Sequence, residues 1–119
     1  MMVVVDPVVV GRRVHAAGAA EIDLVVPHDL EYFDGHFPGA PVVPGVVQIK
    51  WAIGFARELL GAGREFGGME AVKFQHVLQP GARATLKLDF AHASGKLRFS
   101  FEHDRTRYSS GRLLLRGAR

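Results

Sequence analysis

The segment VVQIKWAIGFARELLGAG, starting at Val46, dictates what the rest of the chain must do. It is long, rich in helix-compatible residues, and closed by Gly61 and Gly63, which read as stop signals. Val46, Val47, Ile49, Trp51, Ala52, Ile53, Phe55, Ala56, Leu59 and Leu60 leave only a thin polar stripe on such a helix. A helix that is apolar around most of its circumference has to be wrapped by other structure. The flanking segments alternate with period two, as strands do. AEIDLVVP puts Ile22, Leu24 and Val26 on one face, and the opening MMVVVDPVVVG reads as an extended, half-buried strand. After the helix, MEAVKFQHVLQPG reads as a strand ending in a Pro80-Gly81 turn. RATLKLDFAH puts Ala84, Leu86, Leu88 and Phe90 on one face, and KLRFSFEH does the same with Leu97, Phe99 and Phe101. Ser94-Gly95 is a hairpin signal, and Ser110-Gly111 is expected to turn the chain into RLLLR. Two strands, one buried helix and about four antiparallel strands predict an α+β fold, with a curved sheet wrapped on the helix.

With 119 residues, positions 1–119 are expected to form one domain, and at that size an oligomer is unsurprising. The absence of cysteine excludes disulfides and thiolate metal sites and suits a reducing cytoplasm. His15, His28, His76, His92 and His103 show no ligand spacing, so neither a metal nor a cofactor is expected. The first residues lack the basic start of a secretory segment, Asp6 and Pro7 interrupt them, and no apolar run approaches membrane-spanning length. The net charge is +3, with arginines concentrated in HDRTRYSSGRLLLRGAR. That pattern reads either as a solvated surface or as a docking patch for an acidic partner or a phosphate group. Nucleic acid is not expected, because no aromatic-rich basic motif accompanies the charge.

The helix is preceded by DGHFPGAPVVPG, residues 34–45. Pro38, Pro41 and Pro44 fix their own φ angles and restrain Phe37, Ala40 and Val43 before them. The loop is stiff where it has proline, which lowers the entropic cost of holding a single geometry. His36 sits inside it. Pro44-Gly45 then opens the helix, whose first amides lack internal partners and carry the positive end of the dipole. A carbonyl oxygen or an anion is a natural guest there. Such a loop can equally be a strong helix start whose histidine satisfies a backbone carbonyl.

FDGHFPGAPVVPGVVQIKWA resembles the signature of the hot-dog-fold 3-hydroxyacyl-[acyl-carrier-protein] dehydratases. Their motif, G-H-F-P-G-x-P-x-x-P-G-V, is matched at Gly35, His36, Phe37, Pro38, Gly39, Pro41, Pro44, Gly45 and Val46. VVQIKWA is similar to the branch linked to aryl polyene and related pigment lipids, where a Gln-hydrophobic-Asp-Trp sequence is usual. The resemblance implies a hot-dog fold, a dimer or higher oligomer, and an acyl tunnel beside the helix. It implies that His36 is the base that removes the proton next to a thioester carbonyl, with Gly45 and Val46 forming the oxyanion turn. Phe37 and Pro44 go with them as substrate-lining positions. The substrate implied is a 3-hydroxyacyl thioester of acyl carrier protein or coenzyme A, and the product a trans-2-enoyl thioester.

The family places a carboxylic acid fourteen positions after the histidine, facing the partner subunit's half of the site; here that position is Lys50. Elimination of water needs a base for the carbon proton and an acid for the hydroxyl. An amine with an ordinary pKa of about 10.4 is a poor acid at neutral pH, and burial near a helix N-terminus lowers it. Lys50 is thus a candidate acid, or it belongs to an inert polar stripe with Ile53, Gly54 and Arg57. Gln48, about 200° round the helix from it, is expected in the core or tunnel wall. Glu31 and Asp34 are nearby carboxylates, read chiefly as capping or solvated groups. A hot-dog thioesterase and a non-catalytic acyl-binding or partner subunit are the competing readings. Arg57, Arg64 and the C-terminal arginines are candidate carrier contacts by charge alone.

Overall fold

The computed structural model describes residues 3–15, 17–31 and 41–117. Strands β1 (Val8–His15) and β2 (Ala19–Val25) precede helix α1 (Gly45–Leu60); β3 (Glu65–Phe74), β4 (Arg83–Ala91), β5 (Lys96–His103) and β6 (Thr106–Arg116) follow it. The six strands form one antiparallel sheet in the order β1-β2-β4-β5-β6-β3, so the edges are β1 and β3. The inner face carries Ile22, Leu24, Leu86, Leu88, Leu97, Phe99, Phe101, Leu113 and Leu115 into the core, as the period-two reading of β2, β4 and β5 requires. Against it α1 buries Val47, Gln48, Ile49, Trp51, Ala52, Ala56 and Leu60.

The wrap is one-sided. Val46 is 72% exposed, and Ile53, Phe55 and Leu59 are only partly buried, so the helix does not disappear into the sheet as its composition predicts. The sheet curves round one flank and leaves Val46, Lys50, Ile53, Gly54 and Arg57 as an outward stripe.

Several boundaries differ from the periodic reading. The opening strand breaks at Asp6-Pro7, where proline has no N–H to give a ladder. Val3–Pro7 runs along α1 instead, with Trp51 Nε1 donating to Val5 O at 3.0 Å, and β1 begins at Val8 and continues to His15. The strand after the helix starts at Glu65, four residues early, because Gly67 and Gly68 dilute the strand signal over a bulge. It ends at Phe74, and residues 75–82 form a loop whose Gly81 N–H donates to Val26 O. The turn expected at Ser110-Gly111 is absent: β6 runs straight through. The hairpin turns at Asp104-Arg105, with Asp104 at φ 52. Gly111 is a strand-interior glycine, required because a Cβ there would lie 2.8 Å from Val72 Cγ2 and 3.1 Å from Phe99 Cε1.

Among the described residues no helix is long and apolar enough to cross a membrane.

Candidate active site

The helix begins without a side-chain cap. Pro44 takes the N-cap position at φ −57 and ψ 148, and its carbonyl accepts from the N–H groups of Val47 and Gln48. No acidic residue occupies the first turn. Among the described residues the N–H groups of Gly45 and Val46 have no partner at the positive end of the helix. At Gly45 the close approach is made by a side chain of the chain itself: a Cβ there would fall 2.5 Å from Phe74 Cζ. The ring covers Gly45 and leaves Val46 as the open residue of the turn.

The helix start is clamped from below. Gln48 is 3% exposed; its Nε2 donates to Val43 O at 3.1 Å, and its Oε1 accepts from Ser109 Oγ at 2.6 Å. Val43 N–H in turn donates to Leu78 O at 2.7 Å. The residues leaving the proline-rich loop are therefore tied to β6 and to the 75–82 loop through satisfied buried polar groups. Gln48 lies in the core, as its helical phase indicates; Ser109 gave no sequence signal, because it sits in a segment read as a turn.

The other end of α1 is closed by Gly61 in the left-handed region, φ 66, with Ala62 N–H donating to Ala56 O. Arg57 donates to Gly63 O and Arg64 O at 3.1 and 2.6 Å. His92 Nε2 lies 2.9 Å from Leu60 O. Arg57 is thus held as a helix-end clamp and is not a free docking cation.

A groove of about 850 Å³ runs along the outward stripe of α1, between β1 and β3. Val46, Ile49 and Ile53 form its helix wall, Pro7 and Val9 one bank, Phe66 and Met69 the other. Lys50 lines it and is exposed. Phe66 and Met69 are 48% and 53% exposed; sequence reasoning named neither as a groove residue, and the paired glycines hid the part of β3 that holds Phe66.

His36 and Phe37 lie outside the described residues, as does Asp34. Glu31 is exposed, and its N–H donates to Val4 O at 2.8 Å, a structural tie between the segment before the loop and the N-terminal residues. Of the site residues expected from the sequence, Val46 and Lys50, one helical turn apart, line this mostly apolar groove, whereas Pro44 caps the helix and Gly45 lies under the Phe74 ring.

Known proteins share this framework. A chain of the dehydratase heterocomplex ApeI:P from Xenorhabdus doucetiae is 37% identical, with a TM-score of 0.86, covering 92% of this chain and 96% of that one. An uncharacterized protein from Erwinia carotovora subsp. atroseptica is 32% identical, with a TM-score of 0.75 over 90% of this chain and 93% of its own. The 3-hydroxyacyl-[acyl-carrier-protein] dehydratase FabZ of Erythrobacter litoralis is 33% identical, the match covering 73% of this chain and 60% of the relative. The chain spans less than two thirds of the length of such curated relatives, 47% in the case of the Oenococcus oeni enzyme. The hot-dog arrangement of one helix on a six-stranded antiparallel sheet agrees with these neighbours, and the family model described as ApeI-like, ApeI dehydratase, matches residues 12–112. With most of its length inside that match, the chain belongs to the ApeI-like dehydratase family.

Proposed function

We propose that this protein dehydrates 3-hydroxyacyl thioesters, carried on an acyl carrier protein or coenzyme A, to trans-2-enoyl thioesters. The observation that carries this reading is the groove along α1, which begins at Val46 in the first helical turn and continues over apolar side chains. An acyl chain laid there brings its thioester carbonyl to unpaired amide hydrogens at a helix N-terminus, which stabilise the negative charge that develops on oxygen. His36, on the loop leading into that turn, removes the proton next to the carbonyl. The electron pair then moves to form the carbon–carbon double bond, and the 3-hydroxyl leaves, protonated, as water. On this reading Lys50, on the groove wall, gives that proton.

The work proceeds in an oligomer, with the substrate's carrier docked by charge. Because Arg57 is held by backbone carbonyls, Arg64 and the C-terminal arginines are the carrier contacts, and affinity falls as salt rises. Substitution His36→Ala is expected to abolish formation of the enoyl product, read by its ultraviolet absorbance, while leaving thermal unfolding unchanged. Undiminished turnover in that variant removes the reading. Release of free thiol with no enoyl absorbance identifies a thioesterase instead.

A second reading rests on one observation: the family's carboxylate position holds an exposed lysine. On that reading the chain is the acyl-binding half of a mixed assembly whose other subunit supplies the acid. The heterocomplex assembly of the similar Xenorhabdus dehydratase supports it.

A further inference from the structure

The sheet's outward face, opposite the helix, holds a second, open cavity of about 560 Å³ that the dehydration proposed above does not use. Strand register explains its shape. One transverse row across the sheet reads Lys73, Ser110, Ser100, Lys87, each directly opposite the next. The row beside it reads Arg112, Arg98, Asp89. Two serines floor the centre, and long cationic side chains rise around them. Arg107 closes one end of this basin.

The charges on the rim are incompletely matched. Arg98 and Arg112 stand directly opposite each other on neighbouring strands, an arrangement that costs stability. Arg112 reaches Glu70 only at 4.0 Å, and Glu102 is shared between Lys87 at 3.0 Å and Arg107 at 3.6 Å. Among the described residues Lys73 and Arg98 make no ion pair. Ser100 Oγ donates to Glu102 Oε2 at 2.9 Å, whereas Ser110 Oγ makes no hydrogen bond among the described residues. Of the two acids lining the basin, Glu21 is held by Arg13 and His15 on the β1 side, which leaves Asp89 beside Arg98.

We infer that this basin is a binding site for an oligophosphate, a chain of two or more linked phosphates. Guanidinium forks match phosphate oxygens in pairs, and serine hydroxyls donate to them. A bridging anion turns the Arg98–Arg112 repulsion into two sets of charge-assisted hydrogen bonds. Lys73 and Lys87 are three strand spacings apart, about 14 Å along the sheet, a span that suits linked phosphates better than one. The same chemistry is offered by free inorganic oligophosphate and by the diphosphate of a nucleotide. Arg107 and Arg112 also belong to the C-terminal arginines proposed above as carrier contacts, so the test of the basin involves neither carrier nor turnover.

The test is titration calorimetry with inorganic pyrophosphate and with ADP, against sulfate at matched ionic strength. Pyrophosphate or ADP is expected to bind at least tenfold more tightly than sulfate. The tighter of the two identifies the source: pyrophosphate a free inorganic chain, ADP a nucleotide. The double substitution Lys73→Ala and Arg98→Ala is expected to weaken binding at least tenfold, while Arg83→Ala, an exposed cation lost outside the basin, leaves it unchanged. Both basin residues are exposed and without ion pairs, so their removal leaves folding intact. Binding no tighter than sulfate, an unaltered affinity in the double variant, or an equal loss in Arg83→Ala overturns the site.

Discussion

Gln48 carries a primary amide into the core, and the cost of doing so is offset only because both ends of the amide are satisfied, by Val43 O and Ser109 Oγ. Removing one partner is worse than removing both. Ser109→Ala strands the Gln48 carbonyl oxygen in a buried site and is expected to cost about 1–3 kcal/mol in urea unfolding. Gln48→Leu combined with Ser109→Ala is expected to cost clearly less than the sum of the two single changes, the signature of a coupled pair. A neutral Ser109→Ala would mean that the clamp at the helix start contributes nothing. This pairing was only half legible in the sequence. The phase of α1 put Gln48 inside, but nothing local marks Ser109, whose role depends on β6 running past the helix start.

At the scale of elements, what the sequence made legible follows from period and ends. β2, β4 and β5 alternate without interruption, and their buried faces are those the pattern predicts. Gly61 stops α1 where expected. Glycine misleads at Gly67, Gly68 and Gly111, because there it answers to a bulge and to the close approach of Val72 rather than to a turn. The candidate site was legible as a motif but not as a groove, since its β3 bank begins under those glycines. The outward face of β1, β2 and β4 carries a cross-strand ion network equally invisible to local pattern. Arg13 bonds Asp23 at 2.7 Å, and Thr85 Oγ1 donates to the same carboxylate at 2.8 Å. Arg13 first, then Thr85, hold Asp23 at a pKa of about 2, below its ordinary 3.8. The folded state therefore binds fewer protons than the unfolded one in that interval, so the contribution is present above pH 3.8 and lost as pH falls toward 2. Because the pair is at the surface, screening limits it to about 1 kcal/mol or less. Asp23→Asn is expected to flatten the fall of stability between pH 4 and 2, followed by urea midpoints across that range; an unaltered acid slope would show that the network is inert.

For the whole molecule, the unbalanced feature is the side of α1 that the sheet leaves bare. Val46 stands 72% exposed on it, and the free edge strand β3 adds Phe66, Met69 and Phe74, each about half exposed. An unpaired ten-residue edge beside exposed apolar side chains is a liability in a monomer and an interface in an oligomer. The chain is therefore expected to sediment as a dimer or larger, and the pair Phe66→Glu and Met69→Glu to drive it to monomer. A wild-type monomer at micromolar concentration would refute this. Whatever covers that face also meets Lys50, which turns the oligomer into the place where the two functional readings separate. If Lys50 gives the proton to the departing hydroxyl, Lys50→Glu lowers the enoyl-forming rate of the purified chain. If the chain lacks a working acid and relies on a different subunit, the same change raises a near-absent rate by tenfold or more, because a carboxyl group then stands where the family has one. An unchanged rate removes Lys50 from the chemistry altogether and leaves it as a groove-wall cation.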